Sequence, residues 1–304
     1  MTTHFLAEAL ATPWALQPER LSAYAAVLAG RYLGRVRSNA VYEDGDIVSE
    51  PQAGAQAAAR PANRSGAIAV VPVYGAITQR ASMMSICDGG TSTQAISQAL
   101  RQANADETVG AIVLDIDSPG GSVYGVAELC AEIRASAKPV TAVANSLAAS
   151  AAYWLGCAAG DFYVTPGGEV GSIGVWMAHE DWSKALEESG VVTTLVSAGK
   201  FKVEGNPYAP LDAEARDFMQ SRVNDYYGAF TRDVAKGRKC SVDQVRSSMG
   251  QGRVLGADQA KADGMVDGVM SFDQVLRQVS RGIAPRGRSA QEQQRQRLAL
   301  LALE

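Results

Sequence analysis

Histidine is almost missing from this chain: there are two in 304 residues, His4 and His179. A Ser–His–Asp triad therefore has little to draw on. His4 lies near the N-terminus, and His179, between an apolar run and a helical one, suits a cap or a packed side chain better than a base. Cysteine is scarce too. Cys87, Cys130, Cys157 and Cys240 stand far apart with no Cys-x-x-Cys pair, which argues against a disulfide framework or a zinc site. Cys130 and Cys157 fall in apolar helical patterns and read as packed thiols. No basic segment followed by a long apolar core opens the chain, and no apolar run approaches the ~20 residues of a membrane span. The expectation is a soluble protein of a reducing compartment, without membrane anchor, cofactor or metal.

A net charge of −4 argues against nucleic acid as the default partner. The charge is unevenly spread. From Arg277 onward six arginines face only Glu292 and Glu304, so the last residues are net positive and the remainder more acidic. At 47% hydrophobic and 20% charged the composition is that of a globular protein with a sizeable core.

The pattern divides the chain into four parts. Residues 1–44 read as an N-terminal arm with a short helix over Pro18–Leu33, and 45–65, rich in Ala, Gln, Pro and Gly, as a flexible linker. Residues 66–280 read as the main domain, and 281–304 as a basic, disordered tail with a short apolar end. Inside the main domain, apolar strands at Gly66–Gly75, Gly110–Asp117, Pro139–Ala144, Asp161–Val164 and Val191–Val196 alternate with helices. The helices fall at Thr91–Asn104, Val123–Ser136, Ala151–Ala158, Glu180–Ser189 and, capped by Asp212, along a stripe from Ala215 to Val234. Near-continuous apolar strands between helices predict an α/β domain with a mostly parallel sheet covered on both faces.

Three stretches carry possible chemistry. Ser150, between the Pro139–Ala144 strand and the following small-residue helix, is placed at an open helix end. There its hydroxyl serves either as a helix cap or as a nucleophile beside oxyanion-stabilising N–H groups. Asp117-Ser-Pro-Gly-Gly121 lets the backbone N–H groups of Gly120 and Gly121 face a cleft with no Cβ in the way; it also serves as a plain strand–helix turn. It lacks the Gly-Lys-Ser/Thr of a phosphate loop. Ser197-Ala-Gly-Lys-Phe-Lys202 offers two lysines beside Phe201 and Val203. A lysine is ordinarily solvated, but it becomes a general base where an apolar site lowers its pKa.

Gly66-Ala-Ile-Ala-Val-Val-Pro-Val-Tyr-Gly75, Asp-Ser-Pro-Gly-Gly, Ala-Ala-Ser-Ala-Ala-Tyr-Trp, Gly-Ser-Ile-Gly-Val and Gly-Lys-Phe-Lys follow one another as in the signal peptide peptidase A-type Ser–Lys serine peptidases. Gly171-Ser-Ile-Gly-Val-Trp-Met-Ala-His179 and Val203-Glu-Gly-Asn-Pro-Tyr208 look especially like the phage head-maturation branch. The resemblance covers about residues 66–279. It implies a Clp protease/crotonase-like spiral domain, with Ser150 as nucleophile and Lys202 as general base. Gly120 and Gly121 would form the oxyanion hole, and Ser172 a supporting hydroxyl. It further implies a homo-oligomeric ring in the host cytoplasm, with scaffold, portal or other capsid proteins as substrates. The alternatives are a cytoplasmic peptide-degrading enzyme and a non-proteolytic capsid assembly component. One departure stands out: Ser150-Ala-Ala-Tyr replaces the Ser-Gly-Gly-Tyr frequent in membrane-bound relatives.

Overall fold

Strand β5 (Val109–Ser118) is apolar along most of its length, and Ala111 to Ile116 are buried, as its pattern requires when both faces of a sheet are covered. In the computed structural model, which describes residues 13–16, 66–80 and 89–283, it is a central strand of a sheet of seven. β2 (Ala67–Tyr74) lies parallel to it on one side and β7 (Val140–Ala149) on the other. The first half of β7 pairs with β8 (Asp161–Val164), and its last residues pair with β9 (Glu169–Gly171), both parallel. β10 (Val254–Gly256) closes one side antiparallel to β9, and β11 (Gly268–Val269) pairs with β8. The sheet therefore forks along β7, where Asn145 and Ser146 are exposed.

Alternation along β5 divides the core between two faces. Ile112, Leu114 and Ile116 join the main cluster with Ile96 and Leu100 of α1 (Thr93–Ala105), Leu129 and Ile133 of α2 (Val126–Arg134), and Trp154 and Leu155 of α3 (Ala151–Gly156). Val113 points the other way and meets Val143, Tyr163 and Val275, the last from helix α8 (Phe272–Gly282). That helix starts with a capping box between Ser271 and Gln274, which satisfies two first-turn donors. The result is an α/β domain with a mostly parallel sheet flanked by helices, as the pattern predicts.

A second, small sheet sits over the ends of β5 and β7. It runs β1 (Trp14–Leu16), β6 (Gly120–Ser122), β3 (Ile77–Thr78) and β4 (Thr91–Ser92). The remaining helices are α4 (Ser183–Glu188), the long α5 (Ala213–Arg238), α6 (Val242–Ser248) and α7 (Ala257–Ala262). Asp212 caps α5 by accepting from the Ala215 N–H at 2.8 Å. Of the expected stripe, Ala215, Phe230 and Val234 are buried, while Met219, Val223 and Tyr226 are half-buried.

Three readings change. Val191–Val196 is not a strand: the segment is irregular, with Val192 89% and Val196 93% exposed, because no sheet edge among the described residues receives it. The strand expected over Pro139–Ala144 runs on to Ala149, since Leu147, Ala148 and Ala149 find partners on β9. Gly120–Ser122, read as a turn, is a strand with neighbours on both sides. The Pro18–Leu33 helix, the 45–65 linker, the tail beyond residue 283, His4 and Cys87 lie outside the described residues.

Candidate active site

β7 ends by turning sharply into α3, and Ser150 is the corner. Its backbone sits at φ 55°, ψ −118°, in the left-handed half of the map that side chains rarely adopt, at a cost of about 1–3 kcal/mol. Two main-chain bonds hold it there: its N–H donates to the Gly171 carbonyl at 2.7 Å, and its carbonyl accepts from Trp154 at 2.9 Å. The flanking Ala148, Ala149, Ala151 and Ala152 are fully buried, so the chain on either side of the corner is fixed in the core. Ser150 occupies the helix-cap position, yet its side chain makes no capping bond. Instead Oγ donates to the Gly174 carbonyl over a long 3.4 Å. A strained serine at a strand-to-helix corner, with its hydroxyl withheld from the helix, is the backbone pattern of a nucleophile elbow rather than of a cap.

The helix behind it is anchored firmly. Tyr153 and Trp154 are almost completely buried. Tyr153 donates its hydroxyl to the Met265 carbonyl at 2.9 Å, and burial holds the phenol well above its ordinary pKa. Trp154 stacks on Phe230 with ring centroids 4.6 Å apart and donates its indole N–H to Asp233 at 2.8 Å. The same carboxylate takes a 2.7 Å ion pair from Arg134. Two helices, α2 and α5, thus brace the one that follows Ser150.

Gly120 stands beside this corner, and Gly121 follows it in β6. At Gly120, whose φ is +97°, a Cβ would lie 2.9 Å from the Ser150 Cβ and 2.2 Å from the Ala15 carbonyl oxygen. At Gly121 a Cβ would collide with the Ile77 carbonyl at 1.9 Å. Only glycine fits either place. The Gly120 N–H already donates to Ser118 Oγ at 3.2 Å, and that hydroxyl in turn donates to the Gly75 carbonyl at 2.6 Å. The N–H of Ala151, the first helical residue, has no partner within its own helix. Ser118 and the Ala151 N–H were not singled out from the sequence; the signal for Ser118 was its place inside the Ser-Pro-Gly-Gly motif.

Ser172 follows Gly171, the acceptor of the Ser150 N–H. It is half-buried at φ 54° and donates its own N–H to Arg253 at 2.8 Å. Lys202 is not brought to Ser150. It lies exposed in an irregular segment, its N–H bonded to the Gly199 carbonyl at 3.1 Å. Lys200 is paired with Glu214 at 2.7 Å and lies over the Phe201 ring, a solvated arrangement. His179 contacts the Asn206 carbonyl at 3.0 Å through Nε2 and is no partner of Ser150. Burial raises the Cys157 thiol to about 12 and lifts Cys130 well above its ordinary value, so neither is a thiolate nucleophile near neutral pH. Among the described residues no cluster of His, Cys, Asp or Glu is arranged to hold a metal, and no helix is long and apolar enough to cross a membrane.

Comparison with known proteins bears on this corner. Capsid assembly protease C of Escherichia phage lambda is 38% identical over 203 residues, covering 66% of this chain and 46% of that protein. Head-tail preconnector protein GP5 of Enterobacteria phage P21 is 34% identical over 254 residues, covering 80% of this chain and 50% of its own length. The chain thus spans about half the length of these curated relatives. Protease 4 of Salmonella typhi is 32% identical over 71% of the chain and 34% of its own length. A ClpP1 mutant from Listeria monocytogenes shares 16% identity at a TM-score of 0.44, over 68% of this chain and 94% of its own. The model of Peptidase family S49 matches residues 132–284, a span that holds both Ser150 and Lys202. With half of its length so matched, the chain belongs to Peptidase family S49.

Proposed function

We propose that this chain is a serine endopeptidase in which Ser150 is the nucleophile and Lys202 the general base. One observation carries the reading: Ser150 is held in a strained corner with its hydroxyl released from the helix it precedes. In the reaction, neutral Lys202 takes the Ser150 Oγ proton while Oγ attacks a peptide carbonyl carbon. The resulting oxyanion is held by N–H groups, those of Gly120, Gly121 and Ala151 being nearest to hand. Gly120 must share or release its bond to Ser118 at that moment. Collapse of the intermediate breaks the C–N bond, the lysine ammonium gives its proton to the leaving amine, and water then releases the acyl group by the same route. Ser172 serves as the hydroxyl that steadies the lysine amine.

Lys202 reaches Ser150 on assembly. The segment that carries it exposes Val191, Val192, Leu195, Val196 and Phe201, more apolar surface than a short loop ordinarily leaves in water. Copies of the chain packing through this surface, as in a ring, bury the apolar residues and bring a lysine to a serine. The names of the phage relatives support capsid proteins, such as scaffold or portal, as substrates, with the protease acting in the host cytoplasm or the assembling prohead.

A fluorophosphonate probe tests the nucleophile: the assembled wild-type protein is expected to be labelled at Ser150, and Ser150→Ala to stay unlabelled. Labelling that persists in Ser150→Ala would move the nucleophile elsewhere. Comparing new protein N-termini in particles assembled with wild type and with Ser150→Ala identifies the substrates, and no difference between the two would favour a purely structural role.

A further inference from the structure

The three residues of β1 lie beside Gly120, next to the Ser150 corner. They form a strand whose main chain is bonded on both edges. On one edge they run antiparallel to β6, with Trp14 opposite Ser122, Ala15 opposite Gly121 and Leu16 opposite Gly120. The Val123 N–H extends this edge by donating to the Pro13 carbonyl at 3.4 Å. On the other edge Trp14 and Trp176 exchange both of their main-chain bonds, each at 3.0 Å. An extended segment clasped between two backbone edges is the β-augmentation mode of peptide binding, in which main-chain bonds give affinity and alternate side chains give selectivity.

The position is as telling as the geometry. Gly120, the partner of Leu16, is the glycine at which a Cβ would crowd both the Ala15 carbonyl and Ser150. Ala15 is fully buried and Trp14 nearly so, which leaves no room for a second peptide while they are there. Nothing in the composition of residues 13–16 marks a framework strand: three paired residues are a small fraction of a sheet, and their partners lie more than a hundred positions away.

We propose that Trp14–Leu16 is a resident occupant of the substrate-strand slot between β6 and Trp176, an autoinhibitory segment that substrates must displace. The inference rests on reading Ser150 as the nucleophile only for its consequence; occupancy itself depends on β6 and Trp176. The slot accepts an extended peptide running antiparallel to β6, and the closed packing around Ala15 selects a small residue at that place.

The test uses the full chain carrying Ser150→Ala, so that nothing is turned over, and a fluorescent peptide of residues 11–17. Trp14→Pro removes the N–H that the Trp176 carbonyl receives and releases the strand. A tethered occupant competes at an effective concentration of roughly millimolar, so its release is expected to tighten peptide binding by about tenfold or more in fluorescence anisotropy. A peptide with arginine in place of Ala15 should not bind. Equal binding with and without Trp14→Pro, in chains with intact melting transitions, overturns the proposal. Should Trp14→Pro fail to fold, a chain lacking residues 1–16 replaces it; failure of both makes β1 part of the framework and equally overturns the proposal. In parallel, fluorophosphonate labelling of Ser150 should quicken in the otherwise wild-type Trp14→Pro chain. Absence of labelling in every chain, with peptide binding as expected, would refute Ser150 as nucleophile and still support occupancy of the slot.

Discussion

The serine half and the lysine half of the proposed site are built in opposite ways. Around Ser150 the flanking alanines are buried, the backbone is strained and held by bonds on both sides, and the following helix is pinned by Met265, Phe230 and Asp233. Around Lys202, residues 191 to 202 are all exposed, Val192 and Val196 almost completely. Strain of about 1–3 kcal/mol can be kept only where surrounding packing over-determines the backbone, so the corner must be finished within one chain. A lysine used as a base has the opposite need. It must be desolvated to lose its proton near neutral pH, and a surface that other copies cover achieves this on assembly alone. The contrast fits a protease that is inert as a free chain and completed by its neighbours.

Mixing variants breaks that comparison most severely. Ser150→Ala and Lys202→Ala should each lower peptide hydrolysis by roughly 10⁴-fold or more, as removal of a nucleophile or its base does elsewhere. Lys200→Ala, which loses only an exposed pair with Glu214, should be nearly silent. When the two inactive proteins are mixed and allowed to reassemble, activity should return to a fraction of wild type, because some sites then combine an intact serine with an intact lysine from another copy. A mixture as dead as its components would put both groups in the same chain.

Next in size is the effect of making the lysine-bearing surface polar. Val192→Asp with Val196→Asp touches no packed residue, so the thermal midpoint of the isolated chain should hold to within about 0.5 kcal/mol of stability. Sedimentation velocity should nevertheless show smaller species, and activity should fall at concentrations where wild type is assembled. Unchanged sedimentation would mean that this surface is not the contact.

The serine side answers a different perturbation. Asp233→Ala leaves the Trp154 indole N–H and the Arg134 guanidinium without their carboxylate, and breaking such a largely buried pair costs roughly 3 kcal/mol. Chemical denaturation should register that loss, and probe labelling of Ser150 should slow, because the helix behind it has lost an anchor. Asp233→Asn, which keeps an acceptor for Trp154, should recover part of both. Lost stability with labelling unaltered would show that the anchor serves the fold alone.

The same contrast governs what was legible in the sequence. Strands such as 110–117 and helices such as 91–104 declare themselves because local pattern and final burial agree. Val191–Val196 has the β-branched composition of a strand, but strand formation requires an edge to pair with, and composition does not say whether one is available. The Ser150 corner was legible through its neighbours in order along the chain, Ser-Pro-Gly-Gly before and Gly-Lys-Phe-Lys after. Its strain was not, since φ at a serine follows from the pairing of Ala149 with Gly171 and not from local preference. β1 was invisible for a simpler reason: three residues carry no periodicity, and both of their partners are remote.

The smallest expected effect concerns the rigid side, where Tyr74 at the end of β2 donates its hydroxyl to Asp115 of β5. Partial burial, then the hydrogen bond and charge of Asp115, raise the phenol from 10.0 to about 12. For a group whose folded pKa lies above its unfolded one, the stabilising contribution is complete below pH 10 and fades as pH rises toward 12. Denaturation midpoints of wild type should therefore decline across that interval more steeply than those of Tyr74→Phe, whereas below pH 10 wild type should be the more stable of the two. Among the described residues the second Asp115 oxygen is buried without a partner, so removing the Tyr74 hydroxyl leaves the carboxylate more poorly satisfied, and Asp115→Asn added to Tyr74→Phe should restore part of the loss. Parallel alkaline slopes in wild type and Tyr74→Phe would mean that the phenol ionises freely. The clasp between β2 and β5 would then owe nothing to that hydrogen bond.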